Sequence, residues 1–300
     1  ACSGYHYNDT TLKGFSHTHL SGTGCIDLGD ILFRPTTLKP DLTTESIYQP
    51  AAFSHKDEDA SAGYYSVVLK EEGIKAELTV TAHAGMHRYT FPSGKEASII
   101  IDLTHLLDNE YIYEAELEQT AANEITGMRR TRGWTDNQYV YFVAQFSKPF
   151  QAIDFIQNKK MVSAGVKLNG TDLQACLSFD NSNGEPVIAK VGLSIVSEKN
   201  ARENLETEVI GFDFDAVRSA ARSAWEQALS AITVKGGNTD DLKNFYTAMY
   251  HSMVVPNVVS DVNGEYRRHN MEIGQLPKGK VQYSTFSLWD TFRAWNPLMT

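Results

Sequence analysis

The sequence predicts an α+β protein in which an N-terminal antiparallel β-sandwich gives way to helices. Three observations carry this reading: short strand-like runs before residue 212, turn residues between them, and a change of hydrophobic period afterwards. The runs are Tyr64–Leu69, Ile74–Thr81, His87–Phe91, Ser98–Asp102, Ile112–Leu117, Glu124–Arg132, Gln138–Phe146 and Val187–Val196. Each is rich in the β-branched and aromatic residues that suit a pleated, half-buried surface. Glu72-Gly73, Pro92-Ser93-Gly94, Asn169-Gly170 and Asn183-Gly184 supply turn chemistry between runs. Many short strands punctuated in this way read as a large sandwich.

After Phe212 the period lengthens. Val217, Ala221, Ala224, Trp225, Ala228 and Ile232 recur at helical spacing between Asp215 and Ile232, with no glycine or proline. Lys235-Gly236-Gly237-Asn238 ends that helix, and Thr239 with Asp240 is expected to cap the next. The second helix places Leu242, Phe245, Tyr246, Met249 and Met253 on one face and stops before Pro256. Asn263-Gly264 reads as a hairpin turn between Val258-Val259 and Tyr266. A third helix is expected from near Ser287, still running when Asn296-Pro297 arrives. The divisions are therefore a sandwich over 1–212, a linker helix over 213–235 and a helical region over 236–300. Two or three helices cannot bury their own apolar faces, so they need the sandwich or further helices. The 300 residues read as a window from a longer protein.

A net charge of −10 with 42% hydrophobic residues argues for a globular protein and against polyanionic partners, so neither nucleic acid nor an anionic membrane surface is expected. No apolar run approaches the length of a membrane span. The three cysteines, Cys2, Cys25 and Cys176, lack C-x-x-C spacing, which argues against a zinc site or a disulfide framework.

The densest chemistry lies in Trp289 to Arg293. A tryptophan face stacks on the apolar face of a sugar ring, and a carboxylate beside it can grip vicinal hydroxyls. Asp290 and Arg293 would be neighbours on one helical face, where the guanidinium steadies the carboxylate. The alternative is an amphipathic helix start, with Ser287 as N-cap and Phe286, Trp289 and Phe292 as core. A second stretch, Gly14 to Cys25, carries His17 and His19 on either side of a threonine, followed by a small-residue loop. Two imidazoles so spaced can share a metal or line a site, or can be satisfied inside a tight loop; no third ligand stands at a typical spacing. Asp261-Val262-Asn263-Gly264-Glu265-Tyr266 has the flavour of a calcium loop, but its glycine falls at the fourth position and the hairpin explains it better. Trp134 reads as a strand end or interdomain contact rather than a sugar platform. No convincing general acid and base pair is visible.

Four stretches together go further: Gly14–Asp30, Thr131–Phe150, Phe245–Tyr250 with Pro256 and Asp261–Arg267, and Tyr283–Leu298. In order along the chain they closely resemble glycoside hydrolase family 92. The resemblance implies a calcium-dependent, inverting exo-α-mannosidase acting on terminal α-linked mannose, with α-1,2 linkages foremost. It implies a sandwich joined by a helical linker to the beginning of an (α/α)6 barrel, with the site at their interface. Trp289 and Asp290 would contact the mannose, Arg293 would support them, and the loop holding His17 and His19 would reach the rim of the site. General acid, general base and calcium ligands would lie beyond Thr300, in the barrel half that this sequence lacks, so the isolated chain is expected to be inactive. A Phe-Gly-Met segment that opens family members has no counterpart here, so N-terminal strands are also expected to be missing. Glycan substrates imply export to a bacterial periplasm or cell surface. Two other readings stay open: a non-catalytic carbohydrate-binding or interdomain module, and a sugar phosphorylase-like enzyme.

Overall fold

The computed structural model describes residues 4–20, 26–107, 111–162, 167–284 and 291–299. In chain order the strands are β1 (Thr11–Leu12), β2 (Leu32–Thr36), β3 (Ala51–Ala52), β4 (Glu58–Ser61), β5 (Tyr64–Leu69), β6 (Ile74–Val80) and β7 (Ala84–Thr90). They continue with β8 (Ala97–Asp102), β9 (Tyr111–Ala121), β10 (Glu124–Arg132), β11 (Gln138–Phe146), β12 (Ala152–Gln157) and β13 (Lys160–Val162). The last are β14 (Leu168–Gly170), β15 (Leu173–Phe179), β16 (Val187–Ser194), β17 (Glu265–Arg267) and β18 (Ile273–Gln275). A nine-stranded sheet runs β14-β9-β10-β11-β16-β7-β6-β5-β4, and a five-stranded sheet runs β13-β12-β15-β8-β2. Every pairing in both is antiparallel.

Alternation decides what lies between the sheets. Val140, Phe142, Ala144 and Phe146 of β11 and Val187, Ala189 and Val191 of β16 point inward. There they meet Phe33, Ile99, Ile101, Phe155, Ala175 and Leu177 from the smaller sheet. The opposite face of the larger sheet is also covered. Helix α1 (Glu198–Glu208) lays Ala201 and Leu205 over Met86 and Val143. Gly192 makes this close approach possible, because a Cβ there would lie 2.4 Å from the Ala201 carbonyl oxygen and 2.5 Å from Leu205 Cβ.

The predicted sandwich followed by helices is what the chain forms. Among the elements that escape the sequence reading are β2, β12 and β15 of the smaller sheet and one helix, each for a physical reason. β2 carries Pro35, yet it is the sheet's edge, where a missing N–H donor is tolerated. β15 is buried almost throughout, so alternation is absent. β12, half-buried toward the sheet's other edge, has too few core residues to stand out. Helix α1 is largely charged and buries Asn200 and Asn204 beside Ala201 and Leu205, so its apolar stripe is too thin to register.

The helices that follow are α2 (Phe214–Leu229), capped by Asp213, and α3 (Thr239–Met253). Asn238, not Thr239, caps α3, accepting from the Asp240 and Asp241 amides in a capping box with Asp241. Trp225 of α2 meets Tyr250 of α3 at 4.7 Å. Arg218 of α2 lies 3.5 Å over the Tyr64 ring, so this helix is fastened to the sandwich as well as to its neighbour.

Two local expectations change. Asn263-Gly264 does turn, with Gly264 at φ 85°. However, the strand that follows pairs forward, Tyr266 against Gly274, while Val258 bridges Tyr283. The turn chemistry was legible, but the partner was not. The predicted start of the third helix near Ser287 lies outside the described residues; the helix described there is Trp295–Met299, with Pro297 in its first turn, where proline is tolerated.

Candidate functional site

Residues Phe15 to Leu20 run antiparallel to Leu28 to Phe33. Phe15 and Phe33 exchange backbone hydrogen bonds, and the His17 amide donates to the Asp30 carbonyl at 2.9 Å. The returning arm is held in unusual backbone geometry: Leu28, Gly29 and Ile31 have φ of 72°, 92° and 55°. A β-branched residue at positive φ persists only where its surroundings over-determine it. Here they do. Thr18 Oγ1 receives the Asp30 amide at 2.8 Å and donates to Asp30 Oδ2 at 2.7 Å. Arg129 Nε donates to Asp30 Oδ1 at 2.8 Å, and Gln138 Nε2 to Asp30 Oδ2 at 2.9 Å. Arg129 also donates to the carbonyls of Leu103 and His105. Both members of the Asp30–Arg129 pair are fully buried. Beside them Gly133 packs on Asp27, where a Cβ would stand 1.9 Å from Asp27 Oδ1.

His17 faces the sandwich interior. Its Nδ1 lies 2.6 Å from the Ile31 carbonyl, which can only accept, so Nδ1 carries the proton. Its Nε2 therefore accepts from His87 Nε2 at 3.0 Å, and His87 Nδ1 accepts from the Tyr89 hydroxyl at 2.7 Å. Both nitrogens of His17 are thus engaged within the protein, and neither is left for a metal or a sugar. His19 is exposed and pairs with Ser16 Oγ at 2.9 Å. The two histidines of the His-x-His pattern point to different surroundings.

Burial disfavours the imidazolium, lowering His17 to about 4 and His87 well below its ordinary value. In the unfolded chain both titrate near 6.5, so below that pH the unfolded state binds more protons and stability falls as pH drops toward 4. His17 alone is expected to withdraw about 2 kcal/mol by pH 5. Urea denaturation at pH 7.5 and pH 5 checks this: His17→Gln should reduce the drop in midpoint, and an unchanged drop would count against the chain of imidazoles.

Three of the four motif stretches meet at this end of the sandwich. Asp30 and Asp27 bring the first against Arg129, Gly133 and Gln138 of the β10–β11 hairpin, and Arg267 brings the third, its guanidinium 4.3 Å over the Tyr139 ring. Trp134, 65% exposed, lies at the tip of that hairpin. Of the fourth stretch, Trp289 and Asp290 lie outside the described residues. Arg293 is exposed, its guanidinium 5.4 Å from the Phe292 ring. Trp295 Nε1 donates to the Ser252 carbonyl at 2.6 Å, tying the short helix to the end of α3.

The carboxylates most firmly held among the described residues are fixed as anions. Arg88 and Tyr64 pair with Glu77, and Arg202, Thr120 and Gln145 with Glu124, holding each at about 2 despite burial. Neither can serve as a general acid, which must keep its proton near neutral pH. Nor do the described residues fit a calcium ion: no three His, Cys, Asp or Glu side chains are grouped to hold one, and Asp261 is taken up by asparagine amides.

Sequence reading missed Asp30, Arg129 and His87. One signal was available. β10 alternates inward at Ile125, Gly127 and Arg129, so an arginine on the core face required a buried partner.

The family model described as "Glycosyl hydrolase family 92 N-terminal domain" matches residues 1–194, and that described as "Glycosyl hydrolase family 92 catalytic domain" matches residues 200–300. The chain belongs to glycoside hydrolase family 92. Among solved family 92 structures, an α-mannosidase from Bacteroides thetaiotaomicron is 37% identical, with a TM-score of 0.93 over 99% of this chain and 41% of that one. The same mannosidase is known in complex with mannoimidazole. An inverting mannosidase of family 92 from the same species, 24% identical with a TM-score of 0.86, shares the fold over 98% of this chain and 39% of its own. An uncharacterized secreted glycosidase from Arthroderma benhamiae is 30% identical over 98% of this chain and 41% of its own length. The family 92 chain described here thus spans about two fifths of the length of these relatives. No helix among the described residues is long and apolar enough to cross a membrane.

Proposed function

We propose that the complete protein is an exo-acting α-mannosidase that hydrolyses terminal α-linked mannose, preferentially α-1,2, with inversion. The observation that carries this is the 37% identity, along nearly the whole chain, to a family 92 α-mannosidase also solved with mannoimidazole. In this reading residues 1–212 are the sandwich, 213–235 the linker helix and 236–300 the start of an (α/α)6 barrel. Trp289 stacks on the mannose ring, Asp290 grips vicinal hydroxyls and Arg293 steadies Asp290. His19, exposed beside the converging loops, stays a rim candidate, whereas His17 supports the loop from within.

The general acid and base belong to residues outside these 300, as do the ligands of the calcium ion on which the complete enzyme depends. Inversion needs two carboxyls roughly 6.5–9.5 Å apart, one protonating the leaving oxygen while the other activates water from the opposite face. The relative described as secreted supports export, and a glycan substrate fits a bacterial periplasm or cell surface.

Mannose release from α-1,2-mannobiose by the full-length protein, with calcium and then with EDTA, tests the reading. Calcium-dependent release with the β-anomer formed first is the expected result. Release of mannose 1-phosphate only when phosphate is added would replace it with phosphorolysis. No release from any α-linked mannobiose would leave a carbohydrate-binding module.

A further inference from the structure

Asp261 lies in the segment between α3 and β17, yet the residue is only 6% exposed and its carboxylate is held by β16 and α1. Ser194 Oγ and Asn200 Nδ2 donate to Oδ2 at 2.7 and 2.8 Å, and Asn204 Nδ2 donates to Oδ1 at 2.7 Å. Asn204 is fully buried and every polar atom of its amide is engaged. It donates also to the Leu193 carbonyl at 2.8 Å and accepts the Val262 amide at 2.9 Å. One residue earlier, the Ser260 carbonyl faces His83 Nε2 at 2.8 Å. His83 is itself fixed to Glu208 at the end of α1, through its ring and through its amide at 2.9 Å.

From these pinned residues the register passes along a short backbone ladder. The Val259 amide donates to the Gln282 carbonyl at 2.9 Å, and the Gln282 amide to Ser260 Oγ at 3.0 Å. The Ser284 amide donates to the Asn257 carbonyl at 2.8 Å, and the Asn257 amide to Ser284 Oγ at 3.0 Å. Ser284 directly precedes the stretch Thr285 to Asp290.

Burying a carboxylate and two amides is expensive unless every group is satisfied, and apolar side chains would have held the two parts together as firmly. What a satisfied polar network adds is direction: each bond is lost if the segment slides, whereas apolar contact tolerates slippage. We propose that the Ser194–Asn200–Asn204–Asp261 clasp, with His83 and Glu208 beside it, is a positioning device that sets the register of the chain leading into Trp289 and Asp290. The proposal rests on the reading of Asp290 as a sugar-contacting residue. Asn204 and Asp261 are positioning residues, acting through Asp290 and not on the sugar.

The test is a double-mutant cycle in the full-length protein, with kcat and KM measured on α-1,2-mannobiose alongside a thermal melt. Asn204→Ala should lower kcat ten- to a hundredfold with KM changed less than threefold, while the protein remains folded well above the assay temperature. In an Asp290→Asn background the same substitution should cost less than threefold, because the interaction it positions is already weakened. If Asn204→Ala does not fold, Ser194→Ala leaves both asparagine donors in place and should show a three- to tenfold loss that is likewise absorbed by Asp290→Asn. Retention of kcat within twofold, or losses that multiply in the double variant, would overturn the positioning role. Full activity in Asp290→Asn alone would instead remove the sugar-contact reading beneath it, so the two failures are told apart by different variants.

Discussion

Replacing Arg129 with alanine is expected to lower the stability of the folded chain by about 3–5 kcal/mol. The loss has two parts. Asp30 keeps the Thr18 and Gln138 donors but loses the guanidinium paired with it, leaving a buried carboxylate short of compensating charge. The carbonyls of Leu103 and His105 lose a donor at the same time. Because Asp30 ties the returning arm to Thr18, the Phe15–Phe33 ribbon should loosen with it. Urea denaturation measures the stability loss, and faster proteolytic nicking between residues 15 and 31 reports the loosening. Combining Asp30→Asn with Arg129→Met should recover part of the loss, since the stranded charge is gone. A loss under about 1 kcal/mol for Arg129→Ala would mean that the pair is not the pin that holds the arm.

Asp290→Ala in the full-length protein carries the largest expected effect on turnover. A charged acceptor on vicinal hydroxyls that strengthens its bonds as the ring distorts contributes mainly in the transition state. Its removal should lower kcat/KM by roughly a hundred- to a thousandfold, with most of the fall in kcat. Steady-state kinetics on α-1,2-mannobiose at saturating calcium, with a melt to show that the fold is intact, decide it. Hydrolysis at the parental rate would end the sugar-contact role of Asp290.

Legibility in the sequence followed the range of the interaction. β5, β10 and β11 were readable to the residue because their composition and turn signals are local. β15 was not, since a strand buried on both faces shows no period, and α1 was not, since its buried face is half asparagine. The site divides similarly. Its motifs stood out as unusual local chemistry, but which of them touch depends on partners far apart in the chain, such as Asp30 with Arg129 or Asp261 with Asn204. His17 shows the other side of this. The His-x-His pattern left a ligand pair and a satisfied loop histidine equally open, and only His87, seventy positions on, supplies the partner its ring takes.

The order of the larger sheet also bears on how the chain is made. Strands β4 to β7 form one meander and β9 to β11 another, and β16 is the strand inserted between them. β7 is complete at Thr90, but its second neighbour begins only at Val187. At roughly 5–20 residues per second on the ribosome, the β7 edge therefore waits on the order of 5–20 s for one late strand, and the β11 edge, complete only at Phe146, about 2–8 s. A nascent chain stalled or cleaved before Val187 would present both edges to other molecules, which makes this interval the natural point for a holding chaperone to act and for aggregation to begin.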